Sequence, residues 1–395
     1  MVRIDKKTLQ DLEYPSVLQQ ISEFCITEPG RNKVLAIQPY KATESIQPEL
    51  HRVKEFTASF DNENRIPNHG FESIANELHL LNIENSSLEI GAFRRILSVS
   101  NTTKGLLAFF KKYNEFYAHL HKFSTEVDFT NSISEAITAV IDRYGEIKNT
   151  ASDELAAIRK TLNVVKGQIN SSFTKALNRY STSDLLDEIR ETVVDNRRVL
   201  AVKAMHRRKI KGMVMGQSKT GSIVYIEPQE TLEFANELSN LIYEEQEEVK
   251  RILKELTNFV RPYKETLSGY QDYLTSIDVF YAKARYAIDI DGQLPLLGSE
   301  KRLYLKNAYH PLLLVSNRKQ KVKTYPQTIE LAPDKRIIVI SGPNAGGKSI
   351  TLKTVGLLQL MLQSGMLVPV DPLSEFCFFG RVLTDIGDNQ RKENH

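Results

Sequence analysis

The feature that most constrains the fold is a short apolar run that leads directly into a glycine-rich loop. Residues 337–340 read Ile-Ile-Val-Ile, which is typical of a strand buried in a parallel sheet. The loop that follows, SGPNAGGKS, places Gly342, Gly347, Lys348 and Ser349 in the spacing G-x-x-x-x-G-K-[ST]. Apolar residues then recur at helical spacing, at Leu352, Val355, Leu358 and Leu362. The spacing alone arises by chance in roughly 1% of chains this long, so the sequence predicts the strand, phosphate-binding loop and helix of an α/β domain.

The chemistry of this loop follows from its residue types. Glycines let the backbone wrap tightly, so that successive N–H groups point inward at phosphate oxygens. The Lys348 ammonium is expected beside the β- and γ-phosphates, and the Ser349 hydroxyl is expected to bind Mg²⁺. The candidate residues for binding ATP or ADP with Mg²⁺ are Gly342, Asn344, Ala345, Gly346, Gly347, Lys348 and Ser349. The alternative is a glycine-rich turn that binds no nucleotide. His310, before Pro311, is either a contact to the base or a structural histidine.

Hydrophobic periodicity divides the chain into three regions. Residues 1–140 alternate apolar and polar at helical spacing, which predicts a helical core domain of several short helices. Residues 141–290 carry two heptad-like stripes, which predict two long antiparallel helices or two ordinary amphipathic ones. Residues 291–395 follow an α/β pattern, with candidate strands at 302–305 and 312–315 before the run at 337–340. The first stripe is Leu155, Ile158, Leu162, Val165 and Ile169, and the second is Leu238, Ile242, Val249, Ile252, Leu256 and Phe259.

An insert at about 190–230, between the stripes, has a different character. Short strands are predicted at 199–202, 212–215 and 222–226, with a tight turn at Lys219-Thr220-Gly221. Basic residues crowd this β-element: Arg197, Arg198, Lys203, His206, Arg207, Arg208, Lys209 and Lys211. Such a patch suits a phosphate backbone, whose contacts give affinity without sequence choice; the alternative is the solvated face of a hairpin. The candidate nucleic-acid-binding residues are Arg207, Arg208, Lys209 and Lys211.

Composition narrows the class of protein. The chain has 395 residues, of which 41% are hydrophobic and 26% charged, as in ordinary globular proteins of more than one domain. The net charge is only +3, so any contact with nucleic acid must come from local clustering of charge. Cys25 and Cys377 show no zinc spacing and are expected to be two reduced thiols. The first residues lack the apolar core of a signal peptide, and no window resembles a membrane span, so we expect a cytoplasmic protein with no membrane partner.

Three segments of the sequence resemble one protein family. GPNAGGKSITLKTVGLLQLMLQSGMLVP resembles the Walker A region of MutS proteins. LEYPSVLQQISEFCITEPGRNKVLAIQP and GQSKTGSIVYIEPQETLEFANEL resemble the start and the clamp region of the second bacterial MutS type, the paralogue that usually ends in a Smr nuclease domain. The segments occur in the family order, and the resemblance covers most of the chain. The Phe-x-Glu wedge of the mismatch-repair branch does not occur in this sequence, which argues against mismatch recognition.

The resemblance implies a dimeric ATPase, using ATP and Mg²⁺, whose lever arms grip branched or duplex DNA in DNA repair or recombination control. It implies a multidomain α plus α/β fold, in which lever helices with a β clamp tip occupy 141–290 and the N-terminal part of an ABC-type P-loop ATPase domain occupies 291–395. Gly342, Asn344, Gly346, Gly347, Lys348 and Ser349 match the family loop, whereas Ala345 stands at a more variable place. Three alternatives stay open: structured RNA or the ribosome as target, an SMC-like ATPase, whose loop would precede the coiled coil, and a non-catalytic remnant.

The last residues depart from the family pattern. LTDIGDNQ, residues 383–390, resembles a stretch that precedes the Walker B strand. Asp385 is therefore interpreted as part of an upstream loop and not as the Walker B aspartate, because no acidic residue follows it directly. We expect the Walker B carboxylates, the signature segment and the Smr domain to be missing, so the catalytic residues stay unassigned. The sequence thus predicts a fragment that binds ATP without hydrolysing it at a useful rate.

Overall fold

The computed structural model describes residues 4–40, 43–298, 300–341 and 347–386, which form two compact units. Unit 1 comprises Met1–His79, Arg95–Asn131 and Tyr263–His395. Unit 2 comprises Leu80–Arg94 and Ser132–Pro262. Each unit contains helices and a small sheet, so the predicted mixture of helix and sheet is confirmed. The division into three regions at residues 140 and 290 stays a prediction.

Short helices build the N-terminal part of unit 1, as the periodicity predicts. The helices of this unit are α1 (Lys6–Asp11), α2 (Tyr14–Ser22), α3 (Glu28–Leu35), α4 (Thr43–Ser59), α7 (Ala118–Ser124), α11 (Lys264–Asp289), α12 (Pro311–Gln320) and α13 (Lys348–Gln363). Helices α5 (Ala75–Leu81) and α6 (Ile90–Lys112) contribute residues to both units. Capping side chains stabilise the starts of two of these helices: Asp5 accepts the N–H of Thr8 in α1, and Thr27 accepts the N–H of Gly30 in α3.

Helix α11 lies in the core of unit 1. It buries a carboxylate, Asp278, which accepts hydrogen bonds from the N–H groups of Ile26 and Thr27 and from the Thr27 hydroxyl. His69 Nε2 lies 2.9 Å from Asp278 Oδ1. Burial alone would raise the pKa of Asp278, but the bonds from His69, Thr27 and Ile26 hold it below its ordinary value. The cluster therefore ties α3 and the loop before α5 to α11 with a charge that is fully hydrogen-bonded.

A four-stranded sheet completes unit 1. Its strands are β5 (Leu296–Leu297), β6 (Leu303–Ala308), β7 (Gln327–Leu331) and β8 (Glu375–Phe376), in the spatial order β5-β8-β6-β7. β6 pairs antiparallel with β7 and β8, and β5 pairs parallel with β8. The predicted strand at 302–305 is confirmed as the first part of β6.

Two other strand predictions in this region are wrong. Residues 312–315 lie in α12, because Pro311 at the first helical position favours a helix start. Residues 337–340 form no strand, and Ile337 and Val339 are 84% and 86% exposed. A buried parallel strand needs a hydrogen-bonded neighbour on each side, and no described residue pairs with this run. The apolar pattern is present, but no strand among the described residues pairs with it.

Unit 2 contains the short helix α8 (Ser132–Val140) and two long helices. The long helices are α9 (Asp153–Ser181) and α10 (Gln229–Val260). Ser152, at the start of α9, donates to Glu248 late in α10. Arg179, at the end of α9, donates to Glu230 at the start of α10. The two helices are therefore antiparallel, as predicted.

The heptad stripes are only partly correct. In α9, Leu155, Leu162 and Val165 are buried. In α10, Ile252 and Leu256 are buried, but Ile242 and Phe259 are 41% and 46% exposed. The buried line of α10 instead includes Ala235, Glu248 and Val260. A polar residue enters this line because Glu248 is bonded to Ser152 and Arg251, which offsets the loss of water at its carboxylate.

The insert forms an antiparallel sheet in the spatial order β1-β2-β4-β3. The strands are β1 (Leu186–Val194), β2 (Arg197–Lys203), β3 (Gly212–Gln217) and β4 (Ile223–Pro228), so the three predicted strands are confirmed and β1 was missed. Asp195 and Asn196, which join β1 to β2, both have positive φ angles of 48° and 60°. Such angles suit a tight hairpin turn, which Asp and Asn tolerate better than most residues. Phe173 of α9 packs against the sheet with Leu200, Val224 and Ile226.

Two further sequence expectations concern thiols and membranes. Cys25 and Cys377 are both buried and free, in agreement with two unlinked thiols. None of the described helices is long and apolar enough to cross a membrane.

Candidate functional site

Three of the predicted phosphate-binding residues, Gly347, Lys348 and Ser349, stand at the N-terminal end of α13. Gly347 precedes the helix with φ +81°, a left-handed conformation that glycine adopts without strain. Lys348 and Ser349 are the first two residues of the helix, and both are half-buried. The N–H groups of a first helical turn point along the axis, and the helix dipole is positive at this end.

This set of groups fits a nucleotide phosphate with its Mg²⁺. An ammonium, a hydroxyl and a helix N-terminus are the groups that the loop spacing calls for. Four of the predicted residues, Gly342, Asn344, Ala345 and Gly346, lie outside the described residues.

Close packing fixes α13 within unit 1. Leu357, Leu358 and Met361 are fully buried. A Cβ at Gly356 would lie 2.7 Å from the Leu12 side chain, so a larger residue here would have to displace Leu12 from the end of α1. Near the start of the helix, Lys353 forms an ion pair with Glu13 at 3.0 Å. These contacts with Leu12 and Glu13, which lie between α1 and α2, therefore hold α13 near its start at Lys348.

The candidate nucleic-acid-binding residues lie in and just after a 3-10 turn, Ala204–Lys209, which we call the tip turn. Arg207, Arg208, Lys209 and Lys211 are all exposed. Within the described part of the chain, none of these four forms an ion pair. The structure thus brings three of the cations together on one short turn, with Lys211 just beyond it.

The other basic residues of the insert have internal partners. Arg197 pairs with the buried Glu227, Arg198 with Glu191 and Lys203 with Asp184. The Arg198 guanidinium also lies 4.3 Å from the centre of the Phe173 ring. The basic run predicted from sequence is therefore divided: its first members hold the sheet together, and the tip turn carries the unpaired charge.

Comparisons with known proteins show what the chain is similar to. No protein-family model matches it. Endonuclease MutS2 of Finegoldia magna is 34% identical over 398 residues, a match that covers 99% of this chain and 49% of that protein. Endonuclease MutS2 of Alkaliphilus oremlandii is 30% identical and that of Bacillus velezensis 31% identical, with the same coverage. The predicted resemblance to MutS2 proteins is confirmed over almost the whole chain. The chain spans about half the length of these curated MutS2 relatives.

The C-terminal end of α13 is held by a buried ion pair. Lys283 of α11 donates to Glu49 of α4 at 2.7 Å and to the backbone oxygen of Ser364, the residue that caps α13, at 2.9 Å. The Tyr14 hydroxyl donates to Ser364 Oγ at 2.7 Å. A cation beside the last carbonyls of a helix interacts favourably with its dipole. Both ends of the helix that carries Lys348 and Ser349 are therefore fixed.

His310 is a buried histidine, as the structural alternative predicts. It is 4% exposed, so its ring has almost no surface to offer a nucleotide base. Neither ring nitrogen has a hydrogen-bond partner among the described residues. Burial lowers the pKa of His310 to about 4, against the opposing effect of Glu13 and with the help of Lys353. The imidazole is consequently neutral at physiological pH.

Asp385 lines a pocket of about 420 Å³ in unit 1. The pocket is otherwise mostly apolar, and its wall includes Ile338, Leu352 and Val355. The neighbouring Thr384 donates to Asp11 at 2.9 Å, which holds this segment near the start of the chain. Asp388 lies outside the described residues. Among the described residues, Asp385 is thus a downstream carboxylate that shares a pocket with the first turns of α13.

Sequence reasoning missed two buried charges of this chain. Lys283 and Asp278 stand among apolar residues of α11, and each is at most 3% exposed. A charged residue in the apolar part of a helix was the available signal, because Lys and Asp are almost never fully buried unless they are paired. Their partners, Glu49 and His69, lie more than two hundred residues away and carry no local signal.

Proposed function

We propose that this chain binds ATP or ADP with Mg²⁺ through residues 342–349 and grips duplex or branched DNA through the tip of the α9–α10 pair, in DNA repair or recombination control. The observation that carries the proposal is the start of α13: Lys348 opens the helix directly after the left-handed Gly347, with Ser349 beside it. In this proposal α13 belongs to a P-loop ATPase domain, and α9 and α10 are lever helices. The similarity to MutS2 proteins supports both parts.

Calorimetric titration with MgATP and MgADP tests the nucleotide site. Lys348→Ala removes the charge that faces the β- and γ-phosphates, so whatever binding heat the wild type gives should disappear. Lys319→Ala, at an exposed lysine of α12, is the matched control and should bind as the wild type does. Equal affinities of the wild type and the Lys348→Ala variant would refute the assignment.

The DNA-gripping part rests on the charge of the tip turn. Four exposed cations without internal partners face solvent, and a phosphate backbone is the polyanion that suits them. Contacts to phosphates position a protein without selecting a sequence, so affinity should depend on salt more than on base composition. The hairpin turn at 218–222 adds the exposed Lys219 to the same sheet.

Charge reversal tests this surface. Changing Arg207, Arg208 and Lys209 to Glu should weaken DNA binding and reduce the slope of log affinity against log salt by about three, one for each lost phosphate contact. The control reverses Lys104, Lys111 and Lys112, three exposed lysines of α6, and changes the net charge equally. Titrations of duplex DNA, branched DNA and ribosomes at equal salt separate a DNA target from an RNA one. An unchanged salt slope in the tip variant would show that these three residues are solvated surface and make no phosphate contacts.

We further propose that these 395 residues bind ATP without useful turnover. Hydrolysis needs Mg²⁺ held by the loop hydroxyl and by a carboxylate, and it needs an oriented water. Two downstream carboxylates are already engaged, since Asp371 pairs with Lys306 and Glu375 with Arg302. Among the described residues Asp385 is the remaining downstream candidate; it is exposed, it shares its pocket with Arg336, and no second carboxylate lines that pocket to help hold a metal.

Phosphate release from the purified chain measures this directly. We expect a rate at background, equal in the wild type and in Lys348→Ala. Turnover that disappears in both Lys348→Ala and Asp385→Asn would overturn the proposal and assign Asp385 as the metal-binding carboxylate.

A further inference from the structure

Met205 occupies an unusual place in the tip turn. It is 82% exposed, the most exposed large apolar side chain among the described residues of unit 2. A single exposed apolar side chain is ordinary on a protein surface, so exposure alone assigns nothing. The neighbours set it apart: Lys203, two residues earlier, is paired with Asp184, and the unpaired Arg207, Arg208 and Lys209 follow.

The structure anchors the tip turn on both sides of this side chain. Before it, the Ala204 N–H donates to the Ser222 oxygen at 2.9 Å and the Lys203 N–H donates to the Leu185 oxygen at 3.1 Å. After it, Ile210 is buried in the core of the sheet against residues such as Leu200 and Val224. Met205 therefore projects from a short backbone segment that is fixed at both ends.

A polyanion bound to the three cations would meet this apolar projection. Phosphates contacted by Arg207, Arg208 and Lys209 would hold the backbone of a duplex across the tip turn. An unbranched, flexible thioether can enter irregular apolar space. The apolar surface that a duplex can offer lies between its base pairs, and methionine is among the side chains that wedge between base steps in proteins that kink DNA.

We propose that Met205 inserts into an opened base step, so that the tip turn prefers DNA with an unstacked or flexible step over continuous duplex. The inference rests on the proposed DNA-gripping function and adds the class of DNA. Phosphate contacts supply affinity for any duplex, and Met205 adds affinity where opening the step costs little.

Binding titrations at one salt concentration test the inference with two DNAs of equal length and phosphate count. One is a fully paired duplex, and the other carries a short central bubble of unpaired bases. The wild type should bind the bubble DNA more tightly by about tenfold, because its bases are already unstacked. Met205→Ala should bind both DNAs with the affinity of the wild type for the paired duplex, and Met205→Leu should keep the preference.

The control is Met213→Ala, at a methionine of β3 that is 52% exposed, and it should behave as the wild type does. A wild type without preference for the bubble, or a Met205→Ala variant that keeps it, overturns the inference and leaves the DNA-gripping proposal intact. Failure of that proposal looks different: neither DNA binds, or reversal of Arg207, Arg208 and Lys209 leaves both affinities unchanged.

Discussion

The buried pair of Lys283 and Glu49 gives a sharp prediction for the stability of unit 1. Lys283→Met keeps the apolar stem of the side chain and removes its charge. The Lys283 and Glu49 side chains are 1% and 9% exposed, so the change leaves a carboxylate with little access to water. Breaking one partner of a buried pair costs roughly 3–5 kcal/mol. Arg52 lies 3.8 Å from Glu49 and remains as a weaker partner, so we expect the lower end, about 3 kcal/mol.

A double variant separates the pair from ordinary packing. Lys283→Met with Glu49→Met removes both charges and replaces them with side chains of similar length. Replacement of a whole buried pair by apolar residues is often close to neutral, so the double variant should lose less than the single one, with a coupling of about 2 kcal/mol. Lys264→Met is the control, because its partner Glu265 is 85% exposed and the pair should contribute less than about 1 kcal/mol.

Urea unfolding followed by circular dichroism measures these free energies. Hydrogen exchange shows where stability is lost, because in Lys283→Met the last turn of α13 loses the bond from Lys283 to Ser364. Amides of that turn should exchange faster in Lys283→Met, while those of β2 and β4 in unit 2 should not change. A Lys283→Met variant within about 1 kcal/mol of the wild type, or a double variant that loses the sum of its parts, would refute this account of the pair.

Three further predictions concern stability. The pKa of His310 falls to about 4 in the folded chain, so below about pH 6.5 the unfolded chain binds a proton that the folded chain does not. The free energy of unfolding of the wild type should therefore fall by up to about 3 kcal/mol between pH 6.5 and 4. Urea midpoints measured as a function of pH should show that His310→Leu lacks this loss. Gly30→Ala would place a Cβ 2.1 Å from Asp278 Oδ2, so we expect a loss of about 2–4 kcal/mol in the same assay, and a wild-type midpoint would contradict the packing described. Gly167→Ala, in α9 with nothing within 4 Å of the added Cβ, should raise stability by about 0.5–1 kcal/mol, and a loss would mean an unseen contact there.

Local sequence patterns predicted the parts of this fold that depend mainly on residues close together in the sequence. The α9–α10 pair followed from apolar spacing, and β2 to β4 followed from short apolar runs between turn residues. β1 escaped because its exposed Ile189 and Val193 and its bulge break the alternation that marks a strand. In the same way, Arg197 and Arg198 could not be told from Arg207 and Arg208 by composition, because only the fold shows which of them meets an acidic partner.

At residues 337–340 the local sequence pattern was not sufficient to predict the structure. These four apolar residues have the composition of a buried strand, yet a strand is a property of a pair, and the pattern describes only one partner. Helix α13 depends on no such pairing, since Glu13 holds it near its start and Lys283 and Tyr14 hold its end. Lys348 and Ser349 therefore stand on a helix whose position does not require a strand at 337–340. By this argument, nucleotide affinity in the proposed site should come first from the helix N-terminus, Lys348 and Ser349, and the contribution of the loop glycines should depend on whether residues 337–340 gain a partner strand.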